Sequence, residues 1–357
     1  MRTILAGICE YLKKGRTLAM VTIAAEKGST PRSAGSKMLI DAGGLLCGTI
    51  GGGLAEARAI KEAGEVLASG KSSLLHADMS GCLAEGADLI CGGRMDIFIQ
   101  TLKPELLDFF QMLLARYEHG QNTLLVTSTG ESAPVSAVFP DGSVAGAALA
   151  PERSSVIMQK APESAILMQV EGENYLVESL LAPLRLILAG GGHVSQAVCR
   201  VAVPVGFKVT VLDDRPEFVA QERFPQVAAD CLLTVPAFID SLDEKKLGFP
   251  VDERCFIAIL TRGHVFDASV LYQSLKTKAG YIGMIGSRAK KKQLYAKLMK
   301  MGFTQEDLMR PFCPIGIKIG AETPAEIAVS IVSELIARRA EILRNKPGAY
   351  TVIPIPN

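Results

Sequence analysis

What this 357-residue chain lacks narrows its function first. Its four histidines are scattered, with no H-x-x-x-H or C-x-x-C spacing and no acids gathered around them, which excludes the usual zinc sites. No G-x-S-x-G elbow is present, so the nucleophile turn of the α/β hydrolases is missing. Neither sign of charge dominates: the formal net charge is +1 and the charges are interspersed, leaving no electrostatic footprint for nucleic acid. The opening stretch, MRTILAGICEYLKKG, reads as an amphipathic helix without a signal peptide's apolar core, and no run approaches a membrane span. Eight cysteines occur without a disulfide-framework pattern; Cys199, Cys231 and Cys255 lie in apolar runs as small hydrophobes. That usage predicts a soluble protein of a reducing cytoplasm. No internal repeat or low-complexity segment is evident.

What is present is most informative between residues 186 and 218, LILAGGGHVSQAVCRVAVPVGFKVTVLDDRPEF. An apolar run from Leu186 to Ala189 breaks on Gly190, Gly191 and Gly192. A helix-period segment follows, with Val194, Val198 and Val201 on one face and Gly206 at its end. A second β-rich run, Val209 to Leu212, closes on Asp213 and Asp214. Strand, glycine turn, helix, strand, acid is the βαβ unit of a doubly wound, Rossmann-like domain, whose ligands sit at strand C-termini. Gly190 permits the turn, and Gly192 lets backbone approach an anion at a helix start, where N–H groups are free. Ser195 replaces the third glycine of the fingerprint, and Asp213 stands where an acid grips a ribose hydroxyl.

Residues 1–181 alternate short strands with glycine-rich turns and a few helices, predicting an N-terminal mixed α+β domain. LAMVTIAAEKG, SKMLID, RMDIFIQTL and NTLLVTST read as strands, LAEARAIKEAGEVLAS as an amphipathic helix, and SAPVSAVFPDGSVAGAAL as a hairpin about Pro140, Asp141 and Gly142. PERSSVIMQKAPESAI is polar and reads as irregular. Near Pro183 the strands become continuous apolar runs, as a parallel sheet covered on both faces requires. The Rossmann-like domain is expected over 182–345, with a tail over 346–357; its last helix is announced by Thr323, Pro324 and Glu326 as a capping box.

Candidate ligand residues gather at the expected strand ends of the second domain: His193; Asp213, Asp214 and Arg215; Arg262 and His264, with Asp267 beyond; and Ser287 with Arg288. An arginine beside a helix N-terminus suits an anion such as phosphate. In the first domain KGSTPRSAGSKML displays Arg32 on a stiffened turn. CGTIGGGLAEA sets Gly51, Gly52 and Gly53 before a helix with Glu56 in its first turn, a candidate cradle for an anion or a heterocycle. Cys91 opens a further glycine pair, CGG.

Together these strings resemble the XdhC/CoxI family, the xanthine dehydrogenase accessory factors. The similarity is carried by GSTPRSAGSKML, GTIGGG with Glu56, CGG, GGGHVSQA, VTVLDDRPEF, TRGHVFDASVLY, YIGMIGSRAKK and PIGIKIGAETPAEIAVSIVSELIA. The resemblance implies an accessory protein more than a catalyst. It would bind the molybdenum cofactor, a molybdopterin, while its sulfido ligand is installed. It would then deliver it to the apo-form of a molybdenum hydroxylase, with a cysteine desulfurase as sulfur donor, and would act as a homodimer. One position departs from the family: Leu54 stands where many members carry a cysteine implicated in cofactor binding, and Cys47 is the substitute candidate for a metal-facing thiol. A competing reading is an NAD(P)-dependent oxidoreductase, with Asp213 as ribose clamp and His193 or His264 as proton donor. A third is a docking protein with neither ligand. A nucleotide or NAD(P) in the Rossmann-like domain is compatible with the first two.

Overall fold

The computed structural model describes residues 1–78, 92–162 and 164–344. Two compact units divide it, Met1–Ala182 and Pro183–Asn357. Cys91 and the tail expected over 346–357 lie outside the described residues.

Unit 1 runs α1 (Arg2–Lys13), β1 (Leu18–Lys27), β2 (Lys37–Asp41), β3 (Gly44–Gly48), α2 (Gly53–Ser69), β4 (Ser73–Asp78) and β5 (Arg94–Leu102). It continues α3 (Leu107–Glu118), β6 (Thr123–Ser128), β7 (Val135–Val138), β8 (Val144–Gly146), α4 (Pro151–Gln159), β9 (Ala165–Val170) and β10 (Glu173–Leu180). The helices follow their apolar spacing: α1 buries Ile4, Leu5, Ile8, Cys9 and Leu12, and α2 buries Ala55, Ala59, Ala63 and Val66. The segment read as irregular, PERSSVIMQ, is helix α4. Pro151 stands at its first turn, and a buried stripe of only Ser154 and Ile157 hid its period beneath polar residues.

Two antiparallel five-stranded sheets result, ordered β3-β2-β1-β5-β4 and β8-β7-β6-β10-β9. These are one topology used twice, αβββαββ followed by αβββαββ, so unit 1 contains an internal repeat that the sequence conceals. Register makes the halves correspond residue by residue. Leu18 faces Leu102 as Thr123 faces Leu180, which equates Met20 with Leu125, Thr22 with Thr127 and Gln100 with Glu178. Lys37 beside Thr22 then equates with Val135 beside Thr127. Gly48 and Gly146 correspond too: a Cβ on either would strike the carbonyl of Lys37 or of Val135 respectively. Between their first two strands the halves differ in length, for Thr22 to Lys37 spans seven positions more than Thr127 to Val135.

One apolar cluster draws Leu18, Met20, Leu39 and Leu102 from the first sheet and Leu125, Ala137 and Leu180 from the second. The same register places Thr22, Lys37, Gln100, Thr127 and Glu178 among those inward faces, all buried. The Lys37 ammonium donates to Thr22 Oγ1 at 3.0 Å and pairs with Glu178 across the two sheets.

Unit 2 runs β11 (Arg185–Ala189), α5 (His193–Ala202), β12 (Lys208–Asp213), β13 (Leu232–Thr234), α6 (Glu244–Leu247), β14 (Cys255–Ile259), α7 (His264–Leu275), β15 (Tyr281–Met284), α8 (Arg288–Lys300), β16 (Pro311–Phe312) and α9 (Pro324–Arg344). Its six strands are parallel in the order β13-β12-β11-β14-β15-β16, so the chain reverses direction of growth between β11 and β14. Alternate residues of β11 feed opposite cores: Leu186 and Leu188 join Val198 and Leu335, whereas Ile187 and Ala189 join Val270 and Leu271. This is the doubly wound sheet expected of a Rossmann-like domain. The capping box at α9 forms: the backbone N–H of Thr323 donates to Glu326 Oε2 at 2.9 Å, and that of Glu326 to Thr323 Oγ1 at 3.3 Å. No helix among the described residues is long and apolar enough to cross a membrane.

Candidate functional site

In unit 1 the glycine-bearing loops close on one another at one end of the first sheet. Gly51, at φ +120, leaves no room for a side chain, since a Cβ there would lie 2.6 Å from Pro31. A Cβ on Gly93 would strike the Ser29 carbonyl, and one on Gly28 would lie 3.2 Å from Gly93 Cα. The turn after β1, the turn before α2 and the glycine pair before β5 are thus packed together. Arg32 is exposed on this assembly, and its guanidinium enters no ion pair among the described residues.

The expected anion cradle at Gly51–Gly53 is already filled. Glu56 Oε2 accepts from Thr49 Oγ1 at 2.5 Å, from the Ile50 N–H at 3.0 Å and from the Gly52 N–H at 3.1 Å. Burial alone raises the Glu56 carboxyl, but the Thr49 hydroxyl and the N–H groups of Gly52, Ile50 and Gly51 outweigh it and hold it below the usual range. Glu56 therefore braces the glycine turn as its internal anion and withdraws those N–H groups from a ligand. Space remains outside: a Cβ on Gly52 would meet nothing within 4 Å, and Leu54 in the first turn of α2 is 49% exposed.

Cys47 does not replace the missing thiol. Its sulfur packs against α1, 3.3 Å from where a Cβ on Gly7 would stand, and burial and then Glu10 push its thiol up, which keeps it protonated. Cys199 and Cys255 are likewise pushed up to about 11 by burial. Among the described residues no three His, Cys, Asp or Glu side chains gather as a metal site.

In unit 2 the predicted residues do collect at the C-terminal edge of the sheet, with altered roles. Gly190, at φ +112, lies against the Leu260 carbonyl, and Gly191 against the carbonyl of Phe218; neither place tolerates a Cβ. Asp213 is 2% exposed and fully engaged. It accepts from the Gly191 N–H at 2.7 Å, the Arg215 N–H at 3.0 Å, and Arg215 Nε and Nη2 at 2.9 and 3.2 Å. This corrects its reading as a ribose clamp: the carboxylate ties the glycine turn to Arg215 and turns no free oxygen outward. Burial opposes its ionisation, yet Arg215 and the two N–H groups hold its pKa below the ordinary aspartate value.

Asp214 accepts from Arg262 at 2.6 Å, joining the ends of β12 and β14. Arg215 and Arg223 both lie over the Phe218 ring, and Arg223 also donates to the Gly191 carbonyl at 3.2 Å. His193 and His264 open α5 and α7, exposed and without side-chain hydrogen bonds among the described residues. Asp267, fully buried, accepts from Thr261 Oγ1 at 2.6 Å and serves its loop. Gly192 precedes α5, and a Cβ there would meet nothing within 4 Å. Ser287 accepts from the Lys291 N–H at 3.0 Å and so starts α8; the Arg288 side chain lies outside the described residues.

Gly191, Phe218, Arg223, Lys37 and Glu178 were not anticipated as a group. The last two carried a usable signal, because strand alternation sets Lys37 in phase with Leu39 and Glu178 in phase with Leu176 and Leu180. A charge in the apolar register of a strand marks a paired, buried ion.

The comparisons with known proteins fall on both units. Residues 11–78 match the family described as XdhC and CoxI, and residues 186–335 match the XdhC Rossmann domain. The chain is 26% identical over 326 residues to a protein of Bacillus subtilis described as a probable xanthine dehydrogenase subunit, covering 90% of this chain and 93% of that one. It is 22% identical over 344 residues to the molybdenum cofactor insertion chaperone PaoD of Escherichia coli, covering 95% and 88%. A longer Escherichia coli protein, YqeB, is 26% identical over 341 residues; the match takes 94% of this chain and spans 45% of that relative. A crystal structure described as a xanthine dehydrogenase from Bacillus halodurans shares the fold, with TM-score 0.77 at 22% identity over 97% of this chain and 98% of that one.

Proposed function

Because the chain belongs to the XdhC/CoxI family, we propose that it matures a molybdenum hydroxylase of the xanthine dehydrogenase type by binding molybdopterin and delivering it. The observation that carries this reading is the convergence, within the family-matched stretch, of the Gly28–Ser36 and Thr49–Gly53 turns around an unpaired Arg32. A pterin carries a phosphate, which suits Arg32, and a flat ring, which suits the open backbone at Gly52 beside the apolar Leu54. When bound, the cofactor supplies the molybdenum centre, with its sulfido ligand, that the client enzyme uses. The protein's own residues bind and shelter it: Arg32 holds charge, Glu56 keeps the glycine turn closed, and Leu54 keeps water from the ring. Leu54, in the first turn of α2, offers the cofactor an apolar contact in place of the cysteine that many members carry there. The fuller proposal adds a cytoplasmic homodimer, sulfuration by a cysteine desulfurase while the cofactor is held, and hand-over to the apo-hydroxylase.

The oxidoreductase alternative is weakened by Asp213, whose oxygens are spent on Gly191 and Arg215. A nucleotide in unit 2 would instead meet Arg215, Arg262 and the free N–H groups that begin α5 and α7.

The test uses protein purified from a host that makes molybdopterin. Acidic iodine oxidation, HPLC of the fluorescent pterin and mass-spectrometric molybdenum analysis should find pterin near stoichiometric with protein. Absence of pterin, with NAD(P) retained in its place, refutes the carrier reading.

A further inference from the structure

The two halves of unit 1 share a scaffold but finish one end of it differently. Counted along the matched strands, Arg16, Asp41 and Lys103 of the first half answer to Gln121, Phe139 and Leu181 of the second. The second half sets Phe139 there beneath the Arg116 guanidinium, 3.9 Å from the ring centroid. The fold therefore does not itself demand charge at these positions. The first half has a cavity there of about 520 Å³, lined by Arg16, Asp41, Lys103 and the last turn of α2 among others. It lies where β1 begins and β2 and β5 end. Arg32 and the glycine turns are at the opposite end of the sheet, about 30 Å away along the ten residues of β1.

We propose that this cavity binds a free α-amino acid, its carboxylate toward Arg16 and Lys103 and its ammonium toward the carbonyls that end α2. The assignment goes beyond the molybdenum reading and uses none of its residues. Arg16 and Lys103 form the positive pole. Arg16 pairs through Nη2 with Asp41 Oδ2, and its guanidinium lies over the Tyr11 ring, which holds it in place. Its Nε and Nη1 donors stay free among the described residues. Lys103 is exposed, and its ammonium enters no hydrogen bond or ion pair among the described residues. Asp41, its side chain 3% exposed, is committed: Oδ1 accepts from the Gly43 N–H at 2.8 Å and Oδ2 faces Arg16. Two cations against one committed carboxylate leave a single positive charge, which suits one further carboxylate. The negative pole is the end of α2. Gly70 stops that helix at φ +72 and returns its N–H to the Val66 carbonyl at 2.8 Å. The next two N–H groups turn elsewhere, Lys71 to Ser69 Oγ and Ser72 to the Glu131 carbonyl. The carbonyls of Leu67, Ala68 and Ser69 are thus without partners among the described residues, at the negative end of the helix dipole. An ammonium satisfies them, whereas a dianion such as phosphate is repelled by them and by Asp41. Ala42, Leu67 and Ala68 add an apolar wall suited to an aliphatic side chain.

The full chain, dialysed free of small molecules, is titrated by calorimetry and saturation-transfer NMR with L-leucine and L-alanine. Two analogues of leucine each remove one pole: 4-methylpentanoate lacks the ammonium and leucinamide lacks the carboxylate. Leucine should bind saturably, and each analogue about tenfold or more weakly. Lys103→Leu gives an exposed position the residue of the other half, so it should preserve the circular dichroism spectrum and weaken leucine about tenfold. Arg16→Gln, likewise the other half's residue, should weaken leucine and leave leucinamide unchanged. No saturable binding of either amino acid up to about 10 mM overturns the site. So does a leucine affinity unchanged in both variants. 4-Methylpentanoate binding as tightly as leucine overturns the amino-acid assignment in favour of a simple anion, and leucinamide binding as tightly overturns it in favour of an amine. Pterin retention, measured separately, bears only on the other end of the sheet, so either reading can fail without the other.

Discussion

Replacing Asp213 by Asn separates a structural brace from a ligand clamp. The carboxylate accepts four hydrogen bonds, from the Gly191 N–H and from three donors of Arg215, and is 2% exposed. Asparagine keeps one acceptor oxygen and turns an N–H₂ toward a donor, so the Gly191 N–H or part of Arg215 loses its partner. A hydrogen bond to a charged group contributes about 1.5–3 kcal/mol net. Water recovers part of the loss at Arg215, whose side chain is 24% exposed. We therefore expect destabilisation of about 3 kcal/mol at neutral pH, a fall of about 6–12 °C in the unit 2 transition for a unit of this size. Differential scanning calorimetry with limited proteolysis of unit 2 reads it. The pH dependence has a fixed sign. A carboxylate whose folded pKa is depressed binds fewer protons folded than unfolded, so its stabilisation is full above the ordinary aspartate range. It is lost as pH falls through the depressed value, below about 4, and the difference between wild type and Asp213→Asn should shrink there. A change under about 1 kcal/mol at pH 7, together with a lost affinity for NAD(P), would refute the brace and restore the clamp.

Two further substitutions test the other internal carboxylates. Glu56→Ala leaves the Ile50 and Gly52 N–H groups and the Thr49 hydroxyl without their acceptor at a partly solvated turn, and should cost about 1–2 kcal/mol, read as a lower unit 1 melting temperature and faster cleavage within Thr49–Gly53. Glu334, on α9, accepts from the Tyr281 hydroxyl at 3.1 Å and from the Gly316 N–H; burial raises its pKa, against the lowering effects of Gly316, Tyr281 and Arg338. Its stabilisation is therefore greatest in acid and is lost as pH rises through the raised value, so Glu334→Gln should stay within about 1 kcal/mol of wild type in urea unfolding at neutral pH, whereas Glu334→Leu, which orphans both donors, should cost about 2–4 kcal/mol.

Much of the architecture is legible before folding because it is written at short range. The βαβ unit from Leu186 to Asp213 is an apolar run, a glycine turn, a helical period and a second run in succession, and each part forms as its local pattern dictates. The capping box of α9 needs only Thr323 and Glu326. Helix α4 escaped because its buried stripe is just Ser154 and Ile157. The repeat in unit 1 escaped because sheets preserve register and inward faces while tolerating almost any residue of the right size; Lys37 answers to Val135, and Gln100 to Glu178.

Residue type and spacing alone determined the doubly wound second unit, the alternating strands of the first and the set of loops that would meet at a ligand. Tertiary structure alone decided which polar groups stay available to it. Glu56 turned inward to fill the glycine cradle, Asp213 was spent on Gly191 and Arg215, and Lys37 found Glu178 from 141 positions away. A periodic pattern reports which side of an element faces the core, because that is a property of neighbours along the chain. Which donor meets which acceptor depends on the closing of distant segments, and a buried polar group takes whatever partner that closure brings.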